Sequence, residues 1–102
     1  MKKYNKLVRD RIPEIIKKSG STASTRILND EEYLYYLLKK LFEETKEVME
    51  KPSKEELADV MEVVHSIAEH LELTIEDIEQ ERLRKNKSNG GFKKRILLES
   101  TD

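Results

Sequence analysis

The chain has 102 residues, of which 36% are hydrophobic and 40% are charged, and it contains no cysteine. A chain of this length normally folds around one core, so we expect a single domain over residues 1–102. The lack of cysteine excludes a disulfide framework, a thiolate zinc site and a cysteine nucleophile. No apolar stretch approaches the roughly 18 to 20 residues that a membrane span needs, so we predict a soluble, cytoplasmic protein with no membrane partner.

Charge is segregated along the chain, although the formal net charge is only −1. Residues 1–20 contain seven basic and two acidic side chains, and residues 43–62 contain eight acidic side chains and three lysines. Residues 82–95 contain seven basic side chains and no acidic one. An acidic centre therefore lies between two basic ends, and the net charge gives no global attraction to nucleic acid.

The first two predicted elements are a short helix over about 13–19 and a long helix over about 31–50. Pro13 suits the first position of a helix. Asn29 followed by Glu32 has the form of an N-terminal capping box. The long helix carries one arc of mostly apolar side chains, formed by Leu34, Leu37, Leu38, Leu41, Thr45 and Val48.

Pro52 ends this helix, and a further helix is predicted from a capping box of Ser53 and Glu56 to about His70. Because only two or three residues connect the two long helices, we expect them to be antiparallel neighbours. The larger apolar residues of the further helix and its end are Leu57, Val60, Met61, Val63, Val64, Ile67 and Leu71.

Thr74 with Asp77 begins a last predicted helix, which ends at the glycines Gly90 and Gly91. Its apolar stripe is thin, and residues 92–98 form a short tail that could dock as one last strand-like or helical piece. The whole pattern predicts an all-α helical bundle built on an antiparallel helix hairpin. The thin apolar stripes suggest that dimerisation completes the core.

Four acids are placed symmetrically about the turn of this hairpin. Glu56 falls inside the apolar arc of its helix, where a carboxylate is costly unless it is paired or binds a metal. Glu44 and Asp59 lie equally far from the turn, and so do Glu47 and Glu56. Oxygen ligands from facing helices suit Mg²⁺, or Mn²⁺, better than zinc. The alternative is that these acids cap their helix or form surface pairs.

Three motifs of the chain resemble the all-α nucleoside triphosphate pyrophosphohydrolases, the MazG-like superfamily that includes phosphoribosyl-ATP pyrophosphohydrolase. The acidic motif resembles the EExxE and ExxD signature of the superfamily, and residues 4–13 and 90–96 resemble a compact house-cleaning branch. Two departures from the pattern are a spacer of only eight residues between the two acidic motifs and an asparagine before Gly90. The acidic motif consists of Glu43, Glu44, Glu47, Glu56 and Asp59.

The resemblance implies Mg²⁺-dependent hydrolysis of a nucleotide between its α and β phosphates, giving a monophosphate and pyrophosphate. It implies that Glu43 is either an outer-shell metal ligand or the group that orients and deprotonates the attacking water. It also implies that basic side chains offset charge on the departing pyrophosphate. The metal ligands by position are Glu44, Glu47, Glu56 and Asp59, and the substrate-binding candidates are Lys6, Arg9, Lys93 and Arg95.

Two other functions stay open at this point. The chain could be a non-enzymatic, dimeric helical interaction module whose acids form a solvated face. Nucleic-acid binding through residues 82–95 is a weaker alternative, because this segment has few aromatics and the acidic centre repels phosphate unless metals fill it. We expect a nucleotide substrate, a homo-oligomer and no nucleic-acid partner.

Overall fold

The computed structural model describes residues 2–102. This part of the chain forms four helices and no strand, which confirms the predicted all-α class and the order of the helices. The helices are α1 (Ile12–Lys18), α2 (Asp30–Glu50), α3 (Lys54–His70) and α4 (Ile75–Asn89).

The capping residues explain where the long helices begin. The Asn29 side chain accepts a hydrogen bond from the Glu32 backbone N–H at 2.9 Å, and the Glu32 carboxylate accepts one from the Asn29 N–H at 3.3 Å. Thr74 and Asp77 form the same reciprocal pair at the start of α4. Each cap satisfies backbone donors that the first turn of a helix leaves without partners.

Only half of the capping box predicted at the start of α3 forms. Ser53 Oγ accepts a hydrogen bond from the Glu56 N–H at 3.3 Å, but the Glu56 carboxylate returns no bond to the Ser53 backbone. The Glu56 side chain therefore does not cap its own helix and is available for another role.

The core lies between α2 and α3, which form the predicted antiparallel hairpin. Leu37 of α2 and Val63 and Ala68 of α3 are buried. These are the buried apolar side chains of the described residues, so the core of the single chain is small.

The apolar arc of α2 is narrower than predicted. Leu38 is 50% exposed and Thr45 is also exposed, because α3 covers only one side of α2. Leu57 and Met61 of α3 are similarly about half exposed. The hairpin thus keeps an exposed apolar surface, which also includes Phe42 at 77% exposure.

The C-terminal part of the molecule packs little against the hairpin. Gly90 ends α4 with a φ of +83°, a conformation that favours glycine, as the sequence predicts. The predicted docking of the tail is wrong, since residues 92–98 form neither helix nor strand. The apolar side chains of the tail, from Phe92 at 97% to Leu98 at 75%, are exposed.

The dimensions agree with this loose arrangement. The radius of gyration is 17.9 Å, whereas a compact domain of this length has one of about 13 Å. In the described part of the chain, no helix is both long enough and apolar enough to cross a membrane.

Candidate metal centre

Three carboxylates from the two helices of the hairpin converge near its turn. Glu44 of α2 and Glu56 and Asp59 of α3 each offer one oxygen, and these oxygens lie within 4.8 Å of one another. Glu44 is buried at 8% exposure, and the other two are half-buried. We refer to Glu44, Glu56 and Asp59 as the acidic triad.

Glu56 is the member of the triad whose environment is least satisfied. Its Oε2 atom is shielded from solvent and has no hydrogen-bond partner. Burial raises the pKa of Glu56, and the negative charges of Glu47, Asp59 and Glu44 raise it further. A shielded carboxylate oxygen without a donor destabilises a protein, and a cation among the three oxygens would remove that penalty.

The donor set fits a hard divalent cation. All three groups are carboxylates, and the described structure places no His or Cys in the triad. Mg²⁺ and Mn²⁺ prefer such oxygen ligands, and Mg²⁺ commonly keeps several water molecules when it binds a few carboxylates. The triad therefore has the chemistry of a magnesium or manganese site.

Glu47, the fourth predicted ligand, lies outside the triad. Glu47 is exposed, but its carboxylate lies close to that of Glu56, and among the neighbouring charges it raises the pKa of Glu56 the most. The structure thus brings three of the four predicted ligands within 4.8 Å of one another and places Glu47 next to one of them, Glu56.

Glu43, the predicted catalytic residue, lies beside the triad and pairs with two lysines. Lys6 Nζ lies 3.4 Å and Lys40 Nζ 3.5 Å from Glu43 Oε1. Lys40 Nζ also lies 3.5 Å from Glu44 Oε1, and the Lys40 side chain is only 17% exposed. Lys40 therefore connects the predicted base to a member of the triad.

Sequence reasoning missed Lys40. The available signal was its position three residues before Glu43 and four before Glu44, which puts all three side chains on one side of α2. Such spacing is common on solvated helices, so the pattern alone does not separate a site residue from a surface pair.

The N-terminal segment carries two predicted substrate-binding bases to the acids. Arg9 donates a hydrogen bond from Nη2 to Asp59 Oδ1 at 2.8 Å, and Lys6 pairs with Glu43. Both bases are thus beside the site, where they neutralise acidic side chains in the structure.

The two predicted bases of the C-terminal segment are placed differently. Lys93 and Arg95 are exposed residues of the tail. Within the described residues, neither forms an ion pair and neither lines a groove beside the acids. The structure does not bring them to the triad.

Two concave surfaces adjoin the acids. The larger groove, of about 1250 Å³, lies between residues 6–12, the hairpin and the start of α4, and Glu44 and Asp59 line it. The smaller pocket, of about 390 Å³, lies between residues 4–7 and one side of α2, and Glu43 lines it. Lys6, Leu7 and Lys40 line both.

Comparison with known proteins identifies the family. A family model described as dUTPase matches residues 3–95, a range that includes the N-terminal bases, the whole hairpin and the basic segment after the glycines. The chain belongs to this dUTPase family. The family name points to a nucleotide hydrolase, in agreement with the general class that the sequence motifs imply.

The other comparisons are narrower. A protein of Mycolicibacterium smegmatis, described as uncharacterized, is 55% identical to the chain over 42 residues. The matched segment is 41% of this chain and 43% of that protein, so the chain spans less than half of the relative's length. No solved structure matches the chain.

Proposed function

We propose that the protein is a pyrophosphohydrolase that cleaves a nucleoside triphosphate, or a related nucleotide such as phosphoribosyl-ATP, between the α and β phosphates. The products are a monophosphate and pyrophosphate. The observation that carries this proposal is the acidic triad, in which three carboxylate oxygens lie within 4.8 Å of one another and Glu56 Oε2 lacks a partner. Membership of a nucleotide hydrolase family supports it.

In this proposal Glu44, Glu56 and Asp59 hold Mg²⁺, or Mn²⁺, and Glu47, whose carboxylate lies beside that of Glu56, is a fourth candidate ligand. The bound cation supplies polarisation of the phosphoryl oxygens and offsets the charge that develops on them. Two members of the triad, Glu44 and Asp59, line the larger groove, so a cation held by the triad would lie beside this groove.

Glu43 is the group that orients the attacking water and accepts its proton. Lys6 and Lys40 both lie within 3.5 Å of Glu43 Oε1, and these two ion pairs position the carboxylate before the substrate binds. The water oxygen bonds to one phosphorus of the α–β anhydride, and the anhydride bond breaks. The bridging oxygen then stays with the leaving phosphate group.

Arg9 and Lys6 offset the negative charge of the substrate. Both side chains are more than 40% exposed and lie at the rim of the site, so they can contact phosphate oxygens. Lys93 and Arg95 are further candidates for phosphate contacts, and a contact from either requires the tail to move or to come from another copy of the chain.

We also propose that the protein works as a homodimer. Among residues 2–102, the single chain buries only three apolar side chains, those of Leu37, Val63 and Ala68, which is a small core for a chain of this length. The exposed apolar side chains of the hairpin offer a surface for a second copy, and they include Leu38, Phe42, Met49, Leu57 and Met61.

A non-enzymatic interaction module is the second candidate, and this exposed surface favours it. Nucleic-acid binding is less favoured by the structure. Arg82 and Arg84 of the basic segment pair with Glu79 and Glu81 one turn earlier in α4, which reduces the positive charge that the segment presents.

The direct test is to measure pyrophosphate release from a panel of nucleotides, with and without Mg²⁺. The panel contains normal and damaged nucleoside triphosphates, dUTP among them because of the family name, and phosphoribosyl-ATP. We expect monophosphate and pyrophosphate in equal amounts from at least one nucleotide. Diphosphate and orthophosphate as products, or no Mg²⁺-stimulated hydrolysis across the panel, would contradict the proposal.

A further inference from the structure

We propose that the smaller pocket beside Glu43 binds the pyrophosphate end of the nucleotide, through Lys39 and Lys46 in addition to Lys6 and Lys40. This inference rests on the proposed function and assigns a place to the leaving group. It gives roles to two lysines, Lys39 and Lys46, that the sequence motifs do not single out.

The pocket is a half-open cleft with the volume of a small-molecule site. Its volume is about 390 Å³, within the range of roughly 300 to 1,000 Å³ that is common for ligand pockets. Residues 4–7 form one wall and one side of α2 forms the other. Tyr4, Tyr36 and Phe42 provide aromatic surface, and Lys6 Nζ lies 5.7 Å from the centre of the Tyr4 ring.

The charge of the pocket favours an anion with several negative oxygens. Four lysines and a single carboxylate, that of Glu43, line it. Lys6 and Lys40 pair with Glu43, but within the described residues Lys39 and Lys46 form no ion pair. Lys39 and Lys46 are therefore the bases of the pocket whose charge is not offset by an acid.

The position of the pocket relative to the triad matches the proposed cleavage. Lys6, Leu7 and Lys40 line both the pocket and the larger groove, so the two concave surfaces meet at these residues. Glu43 lines the pocket, while Glu44 and Asp59 line the groove. A nucleotide with its nucleoside in the groove and its β and γ phosphates in the pocket has its α–β anhydride beside the acids.

The test measures binding of inorganic pyrophosphate by isothermal titration calorimetry, in the presence and absence of Mg²⁺. The variant is Lys39→Met with Lys46→Met, and the control is Lys51→Met with Lys54→Met. Both pairs remove two positive charges from exposed positions of the same hairpin, but Lys51 and Lys54 do not line the pocket. Circular dichroism checks that both variants fold.

We expect the pocket variant to bind pyrophosphate at least about tenfold more weakly than the control, because charge-assisted hydrogen bonds to phosphate are lost. Orthophosphate, compared at equal ionic strength, should bind the wild-type protein more weakly than pyrophosphate. Equal loss in both variants would overturn the inference, since it would show only a long-range effect of charge. Equal affinity for orthophosphate and pyrophosphate would also overturn it.

Turnover separates this inference from the proposed function. If nucleotides are hydrolysed, the pocket variant should show weaker product inhibition by pyrophosphate and a higher KM than the control. Unchanged inhibition and KM would refute the pocket while the reaction stands. If no nucleotide is hydrolysed but pyrophosphate binding depends on Lys39 and Lys46, the reaction is wrong and the pocket is supported as a diphosphate site.

Discussion

The substitution Glu56→Gln tests whether the acidic triad destabilises the metal-free protein and whether a bound cation removes this destabilisation. Burial and the neighbouring carboxylates raise the pKa of Glu56, so the folded protein disfavours its charged form. The unfolded group ionises near its ordinary value of 4.5. Protonated Glu56 therefore makes its full contribution to the free energy of unfolding below pH 4.5. This contribution is lost as the pH rises through the raised pKa of the folded state.

The metal-free variant should consequently be at least as stable as the wild-type protein at pH 7, because glutamine removes the buried charge. The difference should shrink as the pH falls from 7 through the raised pKa of the folded state, and the part of it due to the Glu56 charge should be gone below the ordinary value of 4.5. Most substitutions at partly buried positions destabilise a protein, so an unchanged or raised melting temperature is a distinctive result.

Added metal, in contrast, should stabilise the wild-type protein more than the Glu56→Gln variant. A cation that binds only the folded state raises the free energy of unfolding by about 2.7 kcal/mol at a concentration of 100 Kd, or roughly 10–20 °C in Tm for a domain of this size. If glutamine weakens binding about 100-fold, the same metal concentration adds only about 0.4 kcal/mol, or roughly 2–3 °C.

The assay is thermal melting by calorimetry at pH 7 with and without Mg²⁺ or Mn²⁺. Glu50→Gln is the matched control, since Glu50 is an exposed residue of α2 outside the triad. The control should keep the full metal-induced shift. A Glu56→Gln protein that melts below the wild type without metal and still shows the full shift would refute the reasoning.

Three further predictions concern the hairpin. Lys40→Met should lower kcat about 10–100-fold, as losses of residues that orient metal ligands do, and should also raise KM in steady-state assays, because Lys40 lines the proposed phosphate pocket. Lys40→Arg should recover part of both losses. Leu37→Ala should cost about 2–5 kcal/mol of unfolding free energy in urea titrations, far more than Leu38→Ala, because Leu37 is 3% exposed and Leu38 is 50% exposed. Phe42→Glu should shift the molecular mass measured by light scattering from dimer to monomer, and a monomeric wild-type protein would contradict the proposed interface.

The sequence was sufficient to predict the hairpin because its determinants are local. Capping residues, apolar spacing and Pro52 act within one or two helical turns, and the structure confirms the helices that they predict. The close approach of Glu44 and Asp59 follows from the same local register, since a short turn leaves little freedom in the pairing of two antiparallel helices.

The contacts of the N-terminal segment could not be predicted in the same way. Arg9 and Asp59 are separated by 50 residues and Lys6 and Glu43 by 37 residues, and no periodic pattern relates irregular backbone to distant side chains. For the tail, in contrast, the sequence suggested a contact that does not form. Its apolar residues suggested docking, but burial depends on a complementary surface, which the single chain does not present to them.

The position of Glu56 in the sequence supports two different interpretations. Its position three residues after Ser53 is typical of a capping box, whereas its place on the inner side of α3 is typical of a ligand or a buried acid. Only the side-chain geometry decides between them, and here the carboxylate leaves the Ser53 backbone and joins Glu44 and Asp59.

The most direct test of the central claim is a Mg²⁺ titration of pyrophosphate release by the wild-type protein, Asp59→Asn and Glu50→Gln, with the best substrate of the panel. We predict that the wild-type protein and Glu50→Gln depend on Mg²⁺ in the same way. Asp59→Asn should lose nearly all activity at every Mg²⁺ concentration while keeping its helical content. Full activity of Asp59→Asn, or equal activity of the wild-type protein with and without divalent cations, would contradict the assignment of the acidic triad as a metal site.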